Sequence, residues 1–309
     1  MATVALTVTE HDFSRWMQPR RPWHVLYGLR LHTPGSTRHE VQLAPIQQLV
    51  PEEILADIMT LLGPYTLAKA ACVCSQWGAL AKRDSLWQAA CYDAFRTRGR
   101  DETLQLVRRQ YRGRWRTMFL DLPHLRFDGV YVSRNTYIRT GITEWRVKNP
   151  VHLVCYYRYL RFFPAGDFAY RTCPETIAQV AASLEHLPNR RPRGRSREGI
   201  AKVLAGRYAI KGTRLACQVE YPNMAGTQIR TTLELRSTTR GANNRLDPLS
   251  IKSYDNAAST PLSVDDELEP EGGLAHNRGT STYVFVPWEH VVESQLNLPV
   301  TAMDFYVPG

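Results

Sequence analysis

The spacing of apolar residues changes once along this chain, near Arg126, and that change constrains the fold more than any other feature. Before it, apolar side chains recur three and four residues apart. After it, they alternate. The first spacing places them on one stripe of a helix, and the second places them on one face of a strand. The chain is therefore expected to be α+β, with a helical N-terminal part and an antiparallel C-terminal part.

The alternating part reads strand by strand. Phe127 to Val132 begins it, and Tyr156 to Phe163 (Y-Y-R-Y-L-R-F-F) is rich in strand-favouring residues. Pro164 to Asp167 is a turn, and Phe168 to Thr172 returns from it. A second hairpin joins Val203–Ile210 to Leu215–Tyr221 around Lys211-Gly212. Leu215, Cys217, Val219 and Tyr221 alternate with polar residues, as do Ile229, Thr231, Leu233 and Leu235, so each strand has one wet and one dry face. Leu249–Tyr254, Tyr283–Val286 and Met303–Val307 supply later strands. About eight or more such strands form a sandwich or a closed barrel. A barrel is preferred because closure removes exposed edges. A small barrel is filled by side chains or holds a small ligand.

The helical part is densest between Val50 and Phe95. Pro51 suits a first helical position, and Glu52 and Glu53 favour the positive end of the dipole. Ile54, Leu55, Ile58, Leu61 and Leu62 lie on one face, and Gly63-Pro64 ends the helix. Thr66 is the expected N-cap of a second helix carrying Val73, Cys74, Trp77, Leu80 and Ala81. Asp84 or Ser85 caps a third, with Leu86, Trp87, Ala90, Cys91, Ala94 and Phe95. Helices this short need partners for their apolar faces.

Composition sets the remaining bounds. With 43% hydrophobic and 22% charged residues, the 309-residue chain is ordinary for one large or two average globular domains. It contains no long apolar run and no secretory leader pattern, so no membrane span is expected. Six scattered cysteines without a C-x-x-C pair suit free thiols in a reducing compartment, the cytoplasm with the nucleus as a further option. The net charge of +10 gathers in two runs. Arg96, Arg98, Arg100, Arg108, Arg109, Arg112, Arg114 and Arg116 form one. Arg190, Arg191, Arg193, Arg195 and Arg197 form the other, in a Pro/Gly-broken loop. Asp265, Asp266, Glu267, Glu269 and Glu271 oppose them. Solvated charged loops are the leading account of these runs, with recruitment of an acidic partner or RNA as the alternative, and no aromatic RNA-binding motif or zinc-finger spacing points to nucleic acid specifically. No metal, cofactor or catalytic residue is assigned. Cys155, Cys173 and Cys217 are separated in sequence from His152, His276 and His290, and no hydrolase, zincin, P-loop or dinucleotide pattern is present.

The helical stretch resembles an F-box. V-P-E-E-I-L, V-C-S-Q-W and S-L-W stand where that family shows L-P-x-E-[IL]-L, V-C-x-x-W and L-W, with Val50 replacing the usual Leu. The C-terminal remainder is similar to the C-terminal domain of the F-box only protein 9 family: Leu122 to Arg139, Cys155 to Phe168 and L-A-G-R-Y at Leu204 to Tyr208, preceded by W-R-T-M-F-L at Trp115 to Leu120. The resemblance implies residues 48–96 as F-box, 97–121 as a basic helical connector, and 122–309 as a calycin-like β-barrel or sandwich domain; it does not extend over Asp255–Thr282, and composition marks flexible loops near 187–199 and 255–281. Residues 1–47 are expected to be a partly disordered arm, too short for the tetratricopeptide-like region that family members carry.

The resemblance further implies a Skp1-type adaptor as partner and, through it, a cullin-RING core. The adaptor contacts it points to are Pro51, Ile54, Leu55 and Ile58, with Leu67 and Val73. Leu62, Trp77 and Trp87 are expected in the F-box core. The chain would then be the non-catalytic substrate receptor of an SCF ubiquitin ligase, directing proteins to degradation, with its barrel binding the target. Arg190, Arg191 and Arg193, or the aromatic segment Tyr156 to Phe168, are the candidate target contacts. A non-degradative scaffold, or a ligand-binding barrel using the F-box only for protein interaction, is the alternative.

Overall fold

The computed structural model describes residues 44–140, 151–187, 203–220, 227–255, 262, 264, 273–276 and 279–299. Two compact units divide the chain, residues 1–55 and 56–309. The described part of the first unit holds helix α1 (Pro45–Leu49) and the start of α2 (Glu52–Thr60), inside which the boundary falls. The Pro51 carbonyl accepts from Leu55 N–H at 3.1 Å, so Pro51 stands just before the helix rather than at its first position. Glu52 and Glu53 occupy the first turn.

In the second unit the helices are shorter and more numerous than their spacing suggests. Helix α3 runs Pro64–Ala70, α4 Ser75–Leu80 and α5 Asp84–Ala94. Pro64 opens α3 behind Gly63, so Thr66 lies inside the helix and is not its cap. The second apolar stretch is split by Cys74, whose backbone is extended and whose sulfur accepts from Trp77 N–H at 3.5 Å, starting α4. Arg83 precedes α5 without a side-chain cap, and Asp84 and Ser85 belong to the helix itself. Helices α6 (Arg100–Tyr111) and α7 (Trp115–Asp121) come next.

The described strands are β1 (Gly129–Thr140), β2 (Val151–Phe162), β3 (Asp167–Cys173), β4 (Leu204–Lys211), β5 (Arg214–Glu220), β6 (Thr227–Arg236), β7 (Arg245–Asp255), β8 (Leu274–Ala275) and β9 (Tyr283–Pro287). Each pairs antiparallel with its neighbour in the order β6-β5-β4-β3-β2-β1-β9-β7-β8, and β6 also pairs with β7. That additional ladder closes eight strands into an up-and-down barrel. The short β8 is laid on the same edge of β7 as β9, at the other end. Gly212, with φ of 62°, supplies the tight β4–β5 turn that pairs Lys211 with Arg214. The expected strand Met303–Val307 lies outside the described residues.

Alternation sorts side chains to the two faces of the barrel wall. Tyr131, Leu160, Phe162, Phe168, Tyr208, Leu215, Leu233, Leu246 and Phe285 point inward and pack together. Val130, Val132, Tyr157, Tyr159, Ala169 and Val286 point outward, and helix α8 (Ile177–Leu184) covers them with Ile177, Val180 and Leu184. The spacing of apolar residues alone does not predict this helix. Its trace in the sequence is the pair Thr176 and Gln179, whose side-chain oxygen accepts from Thr176 N–H at 2.9 Å, half of a capping box. One outer face of the sheet is therefore dry as well.

Candidate functional site

The residues expected to meet an adaptor separate by exposure. In the first unit Pro51 and Ile54 are exposed, Ile54 to 50%, whereas Leu55 is buried at 2%. In the second unit Ile58 and Val73 are exposed, and Leu67 is buried. Leu55 and Leu67 offer almost no area to a partner in this arrangement. Leu61, three residues after Ile58, is 85% exposed and is absent from the contacts expected from sequence. Its place in the apolar spacing of the helix is the available signal. Large aliphatic side chains left in water at these positions forgo burial worth about 1.5–3 kcal/mol each, which a partner can supply.

The three core candidates are not equally buried. Trp87 is buried, and its indole N–H donates to the Ala81 carbonyl at 2.7 Å. Leu62 and Trp77 are half-buried, and the indole nitrogen of Trp77 is enclosed without a hydrogen-bond partner among the described residues.

An aromatic joint ties the helices of the second unit to its barrel. Phe119 of α7 lies 5.5 Å from Trp87 and 5.9 Å from Tyr65, ring centre to ring centre, and 4.4 Å from the His124 ring. His124 also meets Phe95 edge-on at 5.3 Å. The Tyr65 hydroxyl sits 3.3 Å from both His124 Nε2 and the carbonyl of Gly241 in the β6–β7 loop. Arg126 stacks its guanidinium over Tyr65 and over Phe285 of β9, and pairs with Asp128. Two surface pairs flank this joint. Lys69 reaches Glu289, and Arg240 binds Asp121 through both carboxylate oxygens at 2.6 and 2.8 Å. Burial holds the His124 imidazole down at a pKa of about 4, so it is neutral at physiological pH and acts as a hydrogen-bonded ring in the joint. Apart from Trp87, expected in the F-box core, sequence reasoning singles out none of these joint residues, because several of their partners are more than a hundred residues away.

Arg190, Arg191 and Arg193 lie outside the described residues, as do Arg195, Arg197 and the acidic run 265–271. The aromatic segment Tyr156 to Phe168 is mostly interior. Tyr157, Tyr159, Phe162 and Phe168 are buried, and Tyr156 is half-buried, so little of it forms a rim. Cys217 and His276, far apart in sequence, line one cavity inside the barrel. Burial pushes the Cys217 thiol up, which withholds the thiolate that nucleophilic attack would need. Among the described residues no cluster of His, Cys, Asp and Glu could hold a metal, and no helix is long and apolar enough to cross a membrane.

Residues 48–93 match the F-box-like family, and residues 104–309 match the F-box only protein C-terminal region. F-box protein pof7 of Schizosaccharomyces pombe is 32% identical over 124 residues, which is 37% of this chain and 34% of that protein. F-box protein HRT3 of Saccharomyces cerevisiae is 27% identical over 151 residues, 43% of this chain and 44% of HRT3. F-box protein SNE of Arabidopsis thaliana is 40% identical over 59 residues, 19% of this chain and 38% of SNE. The matched part thus spans less than half the length of these curated relatives. With a helical F-box-like region leading into an eight-stranded antiparallel barrel, and with its C-terminal two thirds matching a single family, the chain belongs to the F-box only proteins.

Proposed function

We propose that this chain is the substrate receptor of an SCF-type ubiquitin ligase. Its F-box binds a Skp1-type adaptor, and its barrel domain holds the protein to be ubiquitinated. The observation that carries the reading is the pairing of two modules in one chain: an F-box with large exposed aliphatic side chains, joined through Tyr65, Phe119, His124 and Arg126 to a closed barrel. A receptor of this kind performs no bond chemistry. It raises the local concentration of a target near the ubiquitin-loaded enzyme, and a stiff joint makes that proximity directional. The Tyr65–Phe119–His124 stack gives the barrel a defined orientation on the F-box helices of its own unit.

The test is capture of a Skp1-type adaptor by the full chain, followed by affinity purification from cells with the proteasome blocked. Adaptor capture together with ubiquitinated proteins that accumulate only under proteasome block is the expected result. Failure to bind the adaptor, where another F-box protein binds it, overturns the proposal. Capture without any change in target turnover would turn the reading toward a scaffold.

A further inference from the structure

The barrel interior is filled unevenly. Toward the helices, Tyr131, Phe162, Tyr208, Phe285 and Leu125 close it with aromatic and aliphatic packing. Toward the other end several inward residues are smaller, with Cys217 opposite Thr231, Val219 opposite Ile229, and Thr172 opposite the long Arg158. A cavity of about 140 Å³ remains there. Its floor is apolar, from Leu160, Phe168, Val219, Ile229 and Ile251, and polar groups gather at Arg158, Tyr170, Thr172, His276 and Tyr283.

Among the described residues Arg158 is the one fixed cation in this lining, and no Asp or Glu lines it. Its guanidinium donates to the Gly279 carbonyl at 2.7 Å, hydrogen-bonds the Tyr283 hydroxyl, and stands 5.8 Å from the Tyr156 ring. These partners are neutral, and no carboxylate among the described residues pairs with it. Its Nε, and Nε2 of His276, are enclosed without hydrogen-bond partners among the described residues. A charge inside a barrel is ordinarily matched by an opposite charge, because its desolvation is costly otherwise. The Thr172 hydroxyl donates to the Tyr170 oxygen at 2.8 Å, and the enclosed polar atoms of this lining without a partner among the described residues are those of Arg158 and His276. An apolar chamber with a few convergent polar groups is the usual form of a small-molecule site.

We propose that this end of the barrel binds a small monocarboxylic acid with a compact apolar body, the carboxylate on Arg158 and His276 and the body against Leu160, Phe168, Val219 and Ile229. One cation favours a monoanion over a phosphate dianion. The volume favours a body the size of one aromatic ring, since an apolar cavity of roughly 150 Å³ takes up benzene. Charge-assisted hydrogen bonds to a guanidinium give the acid its advantage over a neutral isostere.

The experiment is calorimetric titration of the full chain with benzoate, benzamide and inorganic phosphate. Benzoate is expected to bind at least about tenfold more tightly than benzamide, the size of one charge-assisted contact, and phosphate more weakly than benzoate. Arg158→Gln, with its fold checked by circular dichroism, should erase the difference between acid and amide. Ile229→Phe, which fills the chamber, should weaken both. The acid–amide comparison on the wild-type chain stands even if a variant fails to fold. Equal binding of benzoate and benzamide, phosphate binding as tightly as benzoate, no binding of benzoate at millimolar concentration, or unchanged benzoate affinity in a folded Arg158→Gln chain would each overturn the proposal.

Discussion

The guanidinium of Arg126 lies 3.5 Å above the ring of Tyr65, and the same group faces Phe285 at 4.0 Å from the other side of the joint. One side chain from the start of the β domain is thus held between a ring of α3 and a ring of β9. Its side chain is 9% exposed, while its ion-pair partner Asp128 is 44% exposed. That asymmetry sets which substitution costs more. Asp128→Asn leaves a buried guanidinium with aromatic faces and no directly paired anion, Glu289 acting on it only at longer range, and about 2–3 kcal/mol of stability should be lost, somewhat below the cost for a fully enclosed pair. Arg126→Met removes the cation–π contacts but leaves Asp128 able to hydrate, so its loss should be smaller, about 1–2 kcal/mol. Chemical denaturation of the two variants checks the order, and a larger loss for Arg126→Met than for Asp128→Asn would refute it.

His124 gives the same joint a pH dependence. Burial lowers its pKa from 6.5 to about 4 in the folded chain, with the Leu122 carbonyl opposing and the nearby Arg126 charge adding to the shift. The unfolded chain takes up a proton near pH 6.5 and the folded chain does not, so the unfolded state is favoured as pH falls. The contribution is fully present above about pH 6.5, declines between 6.5 and 4, and is absent below. Its size over that window is roughly 3 kcal/mol. His124→Gln should therefore flatten the stability profile between pH 6.5 and 4 relative to the wild type. Parallel profiles in the two proteins would show that His124 does not carry it.

Much of this fold is legible in the sequence because the spacing of apolar residues is a local property. The change of period near Arg126 separates helices from strands, and the alternation Leu215, Cys217, Val219 marks the inward face of β5 directly. Barrel closure is harder to read. It depends on β1 meeting β9 and β6 meeting β7, contacts set by packing across the whole domain. Helix boundaries go astray where one residue serves two purposes. Pro64 both ends α2 and begins α3, and Cys74 caps a helix although its spacing also fits an apolar face. Motif residues expected to face an adaptor include two, Leu55 and Leu67, that are buried here. A helical period finds the apolar stripe but does not say which of its members the chain covers itself. The joint of Tyr65, His124 and Arg126 leaves no local pattern, since each residue is ordinary until the fold brings it to the others.

Closure itself can be tested at Gly129. It is buried where β1 meets β9, paired with Pro287. A methyl group there would stand 2.7 Å from the Phe285 ring and 2.8 Å from the Pro287 Cα, and would press on the Val286 carbonyl. Backbone on two of these sides cannot yield without opening the ladder. Gly129→Ala should cost about 1–3 kcal/mol as an overpacking substitution, despite the gain that alanine usually brings to a strand. Gly63→Ala makes a fair comparison, because a methyl group at that position meets nothing within 4 Å. A Gly129→Ala melting temperature no lower than that of Gly63→Ala would mean that the β1–β9 seam is looser than it stands here.

The proposed adaptor face makes its sharpest prediction through aliphatic residues of one unit that differ in burial. Ile58 and Val73 are aliphatic and exposed to 46% and 65%, and Leu67 is aliphatic and 2% exposed. A carboxylate at an exposed position remains hydrated in the free chain and is desolvated only when a partner covers it. Ile58→Asp and Val73→Asp should therefore leave thermal stability nearly unchanged, within about 0.5 kcal/mol, and still weaken adaptor capture by about tenfold or more, because a buried unpaired charge at an interface costs several kcal/mol. Leu67→Asp places the charge in the core of the chain, so folding should fail before binding can be asked about. Stability by circular dichroism and capture by a Skp1-type adaptor, measured on the same preparations, separate the two effects. If Ile58→Asp and Val73→Asp fold and capture the adaptor as the wild type does, the exposed aliphatic side chains of the second unit serve some other partner, and the docking surface must be sought elsewhere.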